Sequence, residues 1–269
     1  MALHIVGKIK IAAVFCRDCL VPEYLFNQET RRQQSEGLGF FQKAKLFSKS
    51  ALICIVSFFF LISISGVIIY KFIPPPITPL MMIRVKENIL LHKHLKFRHH
   101  WVPISKISPN LTLAVIASED NKYMQHFGFD LDAIKEATKH NQRSRHALGA
   151  STISQQTAKN IFLWPKRNYI RKGIEAYFTL LIETIWGKKR IMEVYLNEIE
   201  MGDGIFGAEA ASQYYFHKPA LKLSREEAAL IASVLPNPRR WRPDKPTPYI
   251  ISCQAWTLWN MNNIDKVEF

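Results

Sequence analysis

Residues 111–130 read LTLAVIASEDNKYMQHFGFD: an uncharged run, then two adjacent carboxylates, Glu119 and Asp120, then a polar segment. The uncharged run lacks strand alternation and is expected to be a buried helix. A carboxylate at the end of such a helix suits a general base, because partial burial raises a glutamate toward neutrality. Spacing alone fits a solvated helix end more readily.

Two further segments depart from what packing would choose. Residues 149–160, GASTISQQTAKN, would stack Ser151, Gln155 and Lys159 at four-residue spacing if helical. Hydroxyl, amide and ammonium donors in a line suit an anionic or sugar ligand. Thr152-x-x-Gln155 also reads as a capping box that needs no ligand, although the polar run from Ser151 to Gln156 exceeds what capping requires. Residues 167–175, RNYIRKGIE, put Arg167 and Arg171 on one face with Glu175 four residues on. Surface ion pairing worth roughly 0.3–0.5 kcal/mol explains them. So does a cationic site for phosphate oxygens with a second carboxylate beside it.

Around these segments helical signals dominate. Ile170, Ile174, Tyr177, Phe178, Leu181, Ile182, Ile185 and Trp186 recur at three- and four-residue steps, predicting an amphipathic helix. Ser224-x-x-Glu227 predicts a capping box opening AALIASVL, which Pro236 stops. Strand alternation is scarce, so this part of the chain is expected to be all-α or nearly so.

Upstream, Ala51–Tyr70 reads ALICIVSFFFLISISGVIIY, without a charge, and about 20 such residues span a bilayer core as a helix. Lys43, Lys45 and Lys49 precede it, which puts the N-terminus in the cytoplasm and the bulk of the chain outside. The formal net charge is +14. A balance this basic implies an anionic partner: nucleic acid, an anionic lipid surface or a phosphate-bearing substrate. The span selects the membrane. The expected organisation is a cytoplasmic leader (1–49), a transmembrane helix (50–73), a proline-rich linker (74–84), a catalytic domain (85–250) and a C-terminal tail (251–269). Cys16 and Cys19 form a lone CxxC, too little for a zinc site, and Cys253 by itself cannot make an intramolecular disulfide outside. His92, His94, His99 and His100 lack matching carboxylates and read as a wet basic surface; with its leucines, Phe97 and Trp101, residues 80–110 could lie on the membrane face.

The three polar segments, in this order, resemble the signature of the glycosyltransferase family shared by class A penicillin-binding proteins and monofunctional peptidoglycan glycosyltransferases. Its patterns ED-x-x-F-x-x-H-x-G-x-D, GGSTITQQ-x-x-KN and RK-x-x-E…E-x-x-x-SK-x-x-I-x-E-x-YLN are nearly complete here. The resemblance covers roughly residues 77–250 and includes the ending LPNPRRWRP. Tyr123 replaces Phe, Ala150 replaces Gly, Ser154 replaces Thr, and Gly187 stands where Ser is usual, which puts the rigidity of that helix joint in doubt.

The resemblance implies a mainly α, lysozyme-like helical glycosyltransferase domain with a small membrane-associated lobe, built from residues near 80–110 and part of 121–148. It implies Glu119 as catalytic base and Glu175 as the second essential carboxylate. It implies that Ser151, Gln155, Lys159, Arg167 and Arg171 line the site near the donor diphosphate, with Asp120, Gln156 and Asn160 completing the substrate-binding set. The substrates would be an undecaprenyl-diphosphate-linked disaccharide-pentapeptide (lipid II) and the growing glycan chain. Partners would include the membrane and other cell-wall synthesis or division proteins, and no nucleic acid. The location would be the cytoplasmic (inner) membrane, with the catalytic domain in the periplasm.

The chemistry fits these residues. A lipid diphosphate already leaves well and needs positive charge, from Lys159, Arg167, Arg171 or a divalent cation, Mg or Mn, with no dedicated protein metal site. A sugar 4-hydroxyl needs a base. The runner-up is a lysozyme-like hydrolase, whose glutamate would act as an acid and would need no cation cluster. A membrane-tethered scaffold for anionic polymers leaves the two glutamates unexplained. A bifunctional enzyme is disfavoured, because no Ser-x-x-Lys follows the glycosyltransferase region and the chain ends too soon.

Overall fold

Side-chain caps start six of the helices, at Ser108, Asp130, Thr152, Asn168, Ser224 and Thr247. The computed structural model describes residues 40–90, 97–144, 149–166, 168–264, 267 and 269. It divides into two units, residues 1–66 and 67–269. The expected leader falls largely outside the described residues, together with its CxxC pair.

The first unit is described from Phe40, where helix α1 (Phe40–Phe72) begins. Among the described residues this is the one helix long and apolar enough to cross a membrane, over Phe47–Phe72. Those 26 residues extend about 39 Å at 1.5 Å each, against a hydrocarbon core of about 30 Å. Its large side chains, Leu52, Ile55, Phe58 and Ile62 among them, are exposed, as a lipid-facing helix requires.

The second unit contains the last turns of α1, so the expected boundary at residue 73 lies inside it. Val67 is fully buried, and its carbonyl accepts a 2.6 Å hydrogen bond from Trp186 Nε1. Arg190 donates to the carbonyls of Tyr70 at 2.8 Å and Ile73 at 3.2 Å, capping the orphan acceptors of the helix end. Helix α2 (Pro79–Leu90) comes after the linker. Arg84 on α2 grips the buried Glu200 through Nε at 3.1 Å and Nη2 at 3.0 Å.

The core is assembled around α3 (Pro109–Glu119), the uncharged run of the sequence. Ser108 caps it by accepting from Asn110 N, Pro109 fits the first turn, and Leu111, Ala114, Val115, Ile116 and Ala117 are buried. Helix α3 packs against α9 (Arg225–Val234) and α10 (Pro248–Asn263). The Ser224–Glu227 capping box is formed as expected. The C-terminal tail is a correction: α10 starts at Pro248 and belongs to the core, with Met261 buried and Asn260 Nδ2 reaching Ala117 O at 3.3 Å. A domain end at 250 would cut through it.

The remaining helices are α4 (Leu131–Arg143), α5 (Ile153–Phe162), α6 (Tyr169–Ile185), α7 (Lys188–Glu198) and α8 (Ala208–Phe216). Helix α5 packs on α6 and α7, and Phe162 stacks on Phe178 with centroids 4.4 Å apart. In the α6 stripe Phe178, Ile182 and Trp186 are buried and Ile174, Tyr177, Leu181 and Ile185 partly so, but the first turn is not: Tyr169 and Ile170 are exposed. Gly187 stands at the N-cap of α7. Its φ of +77° is a left-handed conformation that glycine adopts freely, so this residue relaxes the α6–α7 joint where serine would be strained.

A small sheet closes one end of this unit. Its strands β1 (Arg98–His99), β2 (Glu200–Gly202) and β3 (Ile205–Phe206) are ordered β1-β3-β2, with β1 parallel and β2 antiparallel to β3. Asn197, fully buried, clamps residue 102 to α7: its Oδ1 accepts from Val102 N and its Nδ2 donates to Val102 O, both at 2.9 Å.

Candidate active site

Glu119 is the last residue of α3, and Asp120 leaves the helix with φ −163° and ψ 74°. The loop beyond Glu119 is tied to the start of α5. Asp120 Oδ1 lies 2.9 Å from His126 Nε2, and its Oδ2 accepts from Ile153 N at 3.0 Å. Thr152 Oγ1 donates to Gly128 O at 2.7 Å. Gly128 is required here: φ is +81°, and a Cβ would meet Thr179 Cγ2 at 2.8 Å.

These ties set Glu119 against the half-exposed face of α5. Gln156 Nε2 donates to Glu119 Oε2 at 2.7 Å. Tyr195, fully buried, reaches Gln156 Oε1 at 3.5 Å. Burial raises the Glu119 carboxyl above its ordinary value of 4.5, opposed by the Gln156 hydrogen bond and the Lys159 charge. Burial also pushes the Tyr195 phenol well up, which keeps it a donor to Gln156. A half-buried carboxylate oriented by an amide and faced by an ammonium group can take a proton at neutral pH.

The line of Ser151, Gln155 and Lys159 is not what forms. Helix α5 begins at Ile153 with Thr152 as its cap, so Ser151 lies before the helix, exposed. Gln155 is buried and completes the capping box, accepting from Thr152 N at 3.1 Å. The half-exposed residues of this part of α5 are Gln156 and Lys159, three apart. Asn160 is buried on the same helix, and Asp120 is buried among its structural ties. Ser151 lines a cavity of about 290 Å³ together with Glu119, Asp120 and Lys122.

Glu175 and Arg171 form a second cluster, and burial distinguishes it from surface pairing. Arg171 Nη1 meets Glu175 Oε2 at 2.7 Å, and Lys172 Nζ meets Oε1 at 2.5 Å. Both Arg171 and Glu175 are buried, and Arg171 Nε is left without a partner. That orphaned donor can serve a ligand oxygen. Arg167 lies outside the described residues.

Two contributors were not visible as site residues in the sequence. Both stand in the family signature, His126 as the H of ED-x-x-F-x-x-H and Tyr195 as the Y of YLN, but neither is assigned a role by it. Tyr123, the departure from phenylalanine, is buried and donates to Lys188 O at 2.7 Å. His92 and His94 lie outside the described residues, and His99 faces the buried Glu198 at 3.5 Å. Among the described residues no group of three or more His, Cys, Asp or Glu side chains is placed to hold a metal ion.

Comparison with known proteins bears on this geometry. Residues 87–262 match the model of the transglycosylase family. The chain is 50% identical over 203 residues to the biosynthetic peptidoglycan transglycosylase of Bdellovibrio bacteriovorus, covering 76% of this chain and 81% of that one. It is 51% identical over 209 residues to the protein of that name from Bacteroides thetaiotaomicron (78% and 84% covered). It is 52% identical over 207 residues to the one from Escherichia coli (76% and 85%).

Proposed function

From the premise that this chain belongs to the transglycosylase family, and so is a glycosyltransferase of peptidoglycan synthesis, we propose that it polymerises lipid II into β-1,4-linked glycan strands with Glu119 as base. In this reading Glu119 accepts the proton of the acceptor's 4-hydroxyl as that oxygen attacks the donor's anomeric carbon. The bond from that carbon to the lipid diphosphate breaks, and a single displacement inverts the centre. Lys159, Arg167 and Arg171 meet the charge of the departing diphosphate. Glu175 keeps Arg171 and Lys172 in place through its paired oxygens.

The observation that carries the reading is the pairing at Glu119. Burial raises the carboxyl while Gln156 and Lys159 favour its ionised form. An acid working on a glycosidic oxygen would be better served without a neighbouring ammonium group. Membrane attachment through α1 supports a lipid-linked substrate, since enzyme and donor then share one plane. The lysine-rich flank supports a cytoplasmic N-terminus and a periplasmic catalytic domain. Exposed Phe127, Leu131, Trp164, Tyr169 and Ile170 support a lobe that dips into the bilayer surface.

The test offers the purified chain two substrates. Lipid-linked disaccharide-pentapeptide should be built into lipid-bound glycan, and finished glycan should be left uncut. Release of fragments from finished glycan, with no polymer formed, would make the protein a hydrolase.

A further inference from the structure

A second cavity, of about 520 Å³, opens at the turn between β2 and β3 and shares no lining residue with the one at Glu119. Four guanidinium groups line it, those of Arg98, Arg239, Arg240 and Arg242. Arg98 and Arg242 both stand over the Tyr214 ring, at 5.3 and 6.0 Å from its centroid. The ring's negative face is what lets two like charges share this wall. Arg242 is balanced by Asp244, at 2.7 Å, and Arg239 lies 3.5 Å from Asp203 and 3.6 Å from Glu87. Among the described residues no carboxylate pairs with Arg98 or Arg240. Folding does not require such a gathering, since all four arginines are exposed. The excess charge converges on one concavity, and forked guanidinium donors match phosphate oxygens.

The surroundings say which phosphate. Glu87, the partner of Arg239, is on α2, and two residues near it on that helix, Ile89 and Leu90, are 64% and 65% exposed. Phe97 brings another exposed ring to the cavity. Helix α2 itself follows a membrane-spanning helix by a short linker. An exposed aromatic ring lining a cationic pocket, with exposed apolar side chains on the helix whose Glu87 meets Arg239, is what a lipid interface selects. We propose that this cavity holds the phosphate of an anionic bilayer phospholipid and so orients the domain on the membrane. The proposal does not depend on the reaction assigned to Glu119.

The full chain, purified in a neutral detergent, is titrated with phosphatidylglycerol, phosphatidylcholine and undecaprenyl diphosphate, and bound lipid is counted by native mass spectrometry. Phosphatidylglycerol should bind in preference to phosphatidylcholine. Arg98→Ala with Arg240→Ala should weaken it about thirtyfold, two basic side chains' worth of attraction to an anionic headgroup. The double lysine variant at the same positions keeps the charge but not the fork and should recover only part of the binding; full recovery would overturn the fork-based site. Lys189→Ala with Lys222→Ala, removing equal charge elsewhere, should leave it unchanged. Equal losses in the two alanine pairs would reduce the effect to diffuse charge and overturn the site. So would displacement of the lipid by inorganic phosphate at equal concentration, which would assign the cavity to a free anion. A loss confined to undecaprenyl diphosphate would give the cavity to the reaction's own lipid and overturn the phospholipid assignment.

Discussion

Replacing Glu119 by glutamine removes a proton acceptor and little else. Gln156 Nε2, 2.7 Å from Glu119 Oε2, can still donate to the new amide oxygen, so the α3–α5 junction keeps its bond. Loss of a positioned base costs roughly 10²–10⁴-fold in rate, or about 3–5 kcal/mol at the transition state. Stability should move the other way. Burial holds the Glu119 carboxyl above its ordinary 4.5. A carboxyl raised on folding stabilises the fold fully only below its unfolded pKa. That contribution is lost as pH rises from about 4.5 through the folded value. At neutral pH the ionised group is therefore a cost that the amide lacks. Relief of such active-site strain is worth about 0.5–2 kcal/mol, and a domain of this size gains roughly 2–4 °C per kcal/mol. Polymerisation of lipid II and thermal melting, measured on the same preparation, should show the rate collapsing while the melting temperature rises at neutral pH. Turnover within tenfold of the parent, or a melting temperature that falls, would refute the assignment of Glu119 as a buried base.

Gln156→Leu withdraws the hydrogen bond that favours ionised Glu119, so the acid limb of the polymerisation rate should move to higher pH; a limb that stays or moves down would remove Gln156 from this role. Lys159→Ala should lower kcat by roughly 10²–10³-fold, as loss of one preorganised donor does, and a steady-state loss below tenfold would take Lys159 out of the site. Two glycines should respond oppositely in a thermal melt. Gly207→Ala places a Cβ 2.4 Å from Asn197 O at φ +83° and should destabilise by about 3 kcal/mol or more. Gly173→Ala meets nothing within 4 Å on a helix and should stabilise by about 0.5–1 kcal/mol. Similar melting temperatures for the pair would contradict the backbone described for Gly207.

The legible features were those written in local chemistry. The uncharged run ending at Glu119 and both capping boxes are short-range patterns that formed where expected, and the α6 stripe formed except at Ile170, which is exposed. Misreadings arose where a residue's partner is distant in sequence or a competing local signal wins. The spacing of Ser151 to Gln155 is helical, but the Thr152 cap starts the helix after Ser151. Arg171 and Glu175 can be read as a surface pair because the sequence does not show that α6 buries them. Helix α10 passes for a tail because Trp256 and Trp259, both exposed, obscure the stripe that carries Asn260 and Met261 inward. The three strands are too short, at two or three residues each, to show alternation at all.

The last turns of α1 are part of the domain that follows them. Trp186 and Arg190 take their acceptors from Val67, Tyr70 and Ile73. A protease clipping in the proline-rich linker would leave a buried indole N–H unanswered, at about 1–3 kcal/mol, and a void where Val67 was. The fragment left by such a cut should therefore melt below the full chain while still folding, since a domain has roughly 5–15 kcal/mol of stability to lose. An excised domain that keeps its full stability must begin no later than Val67.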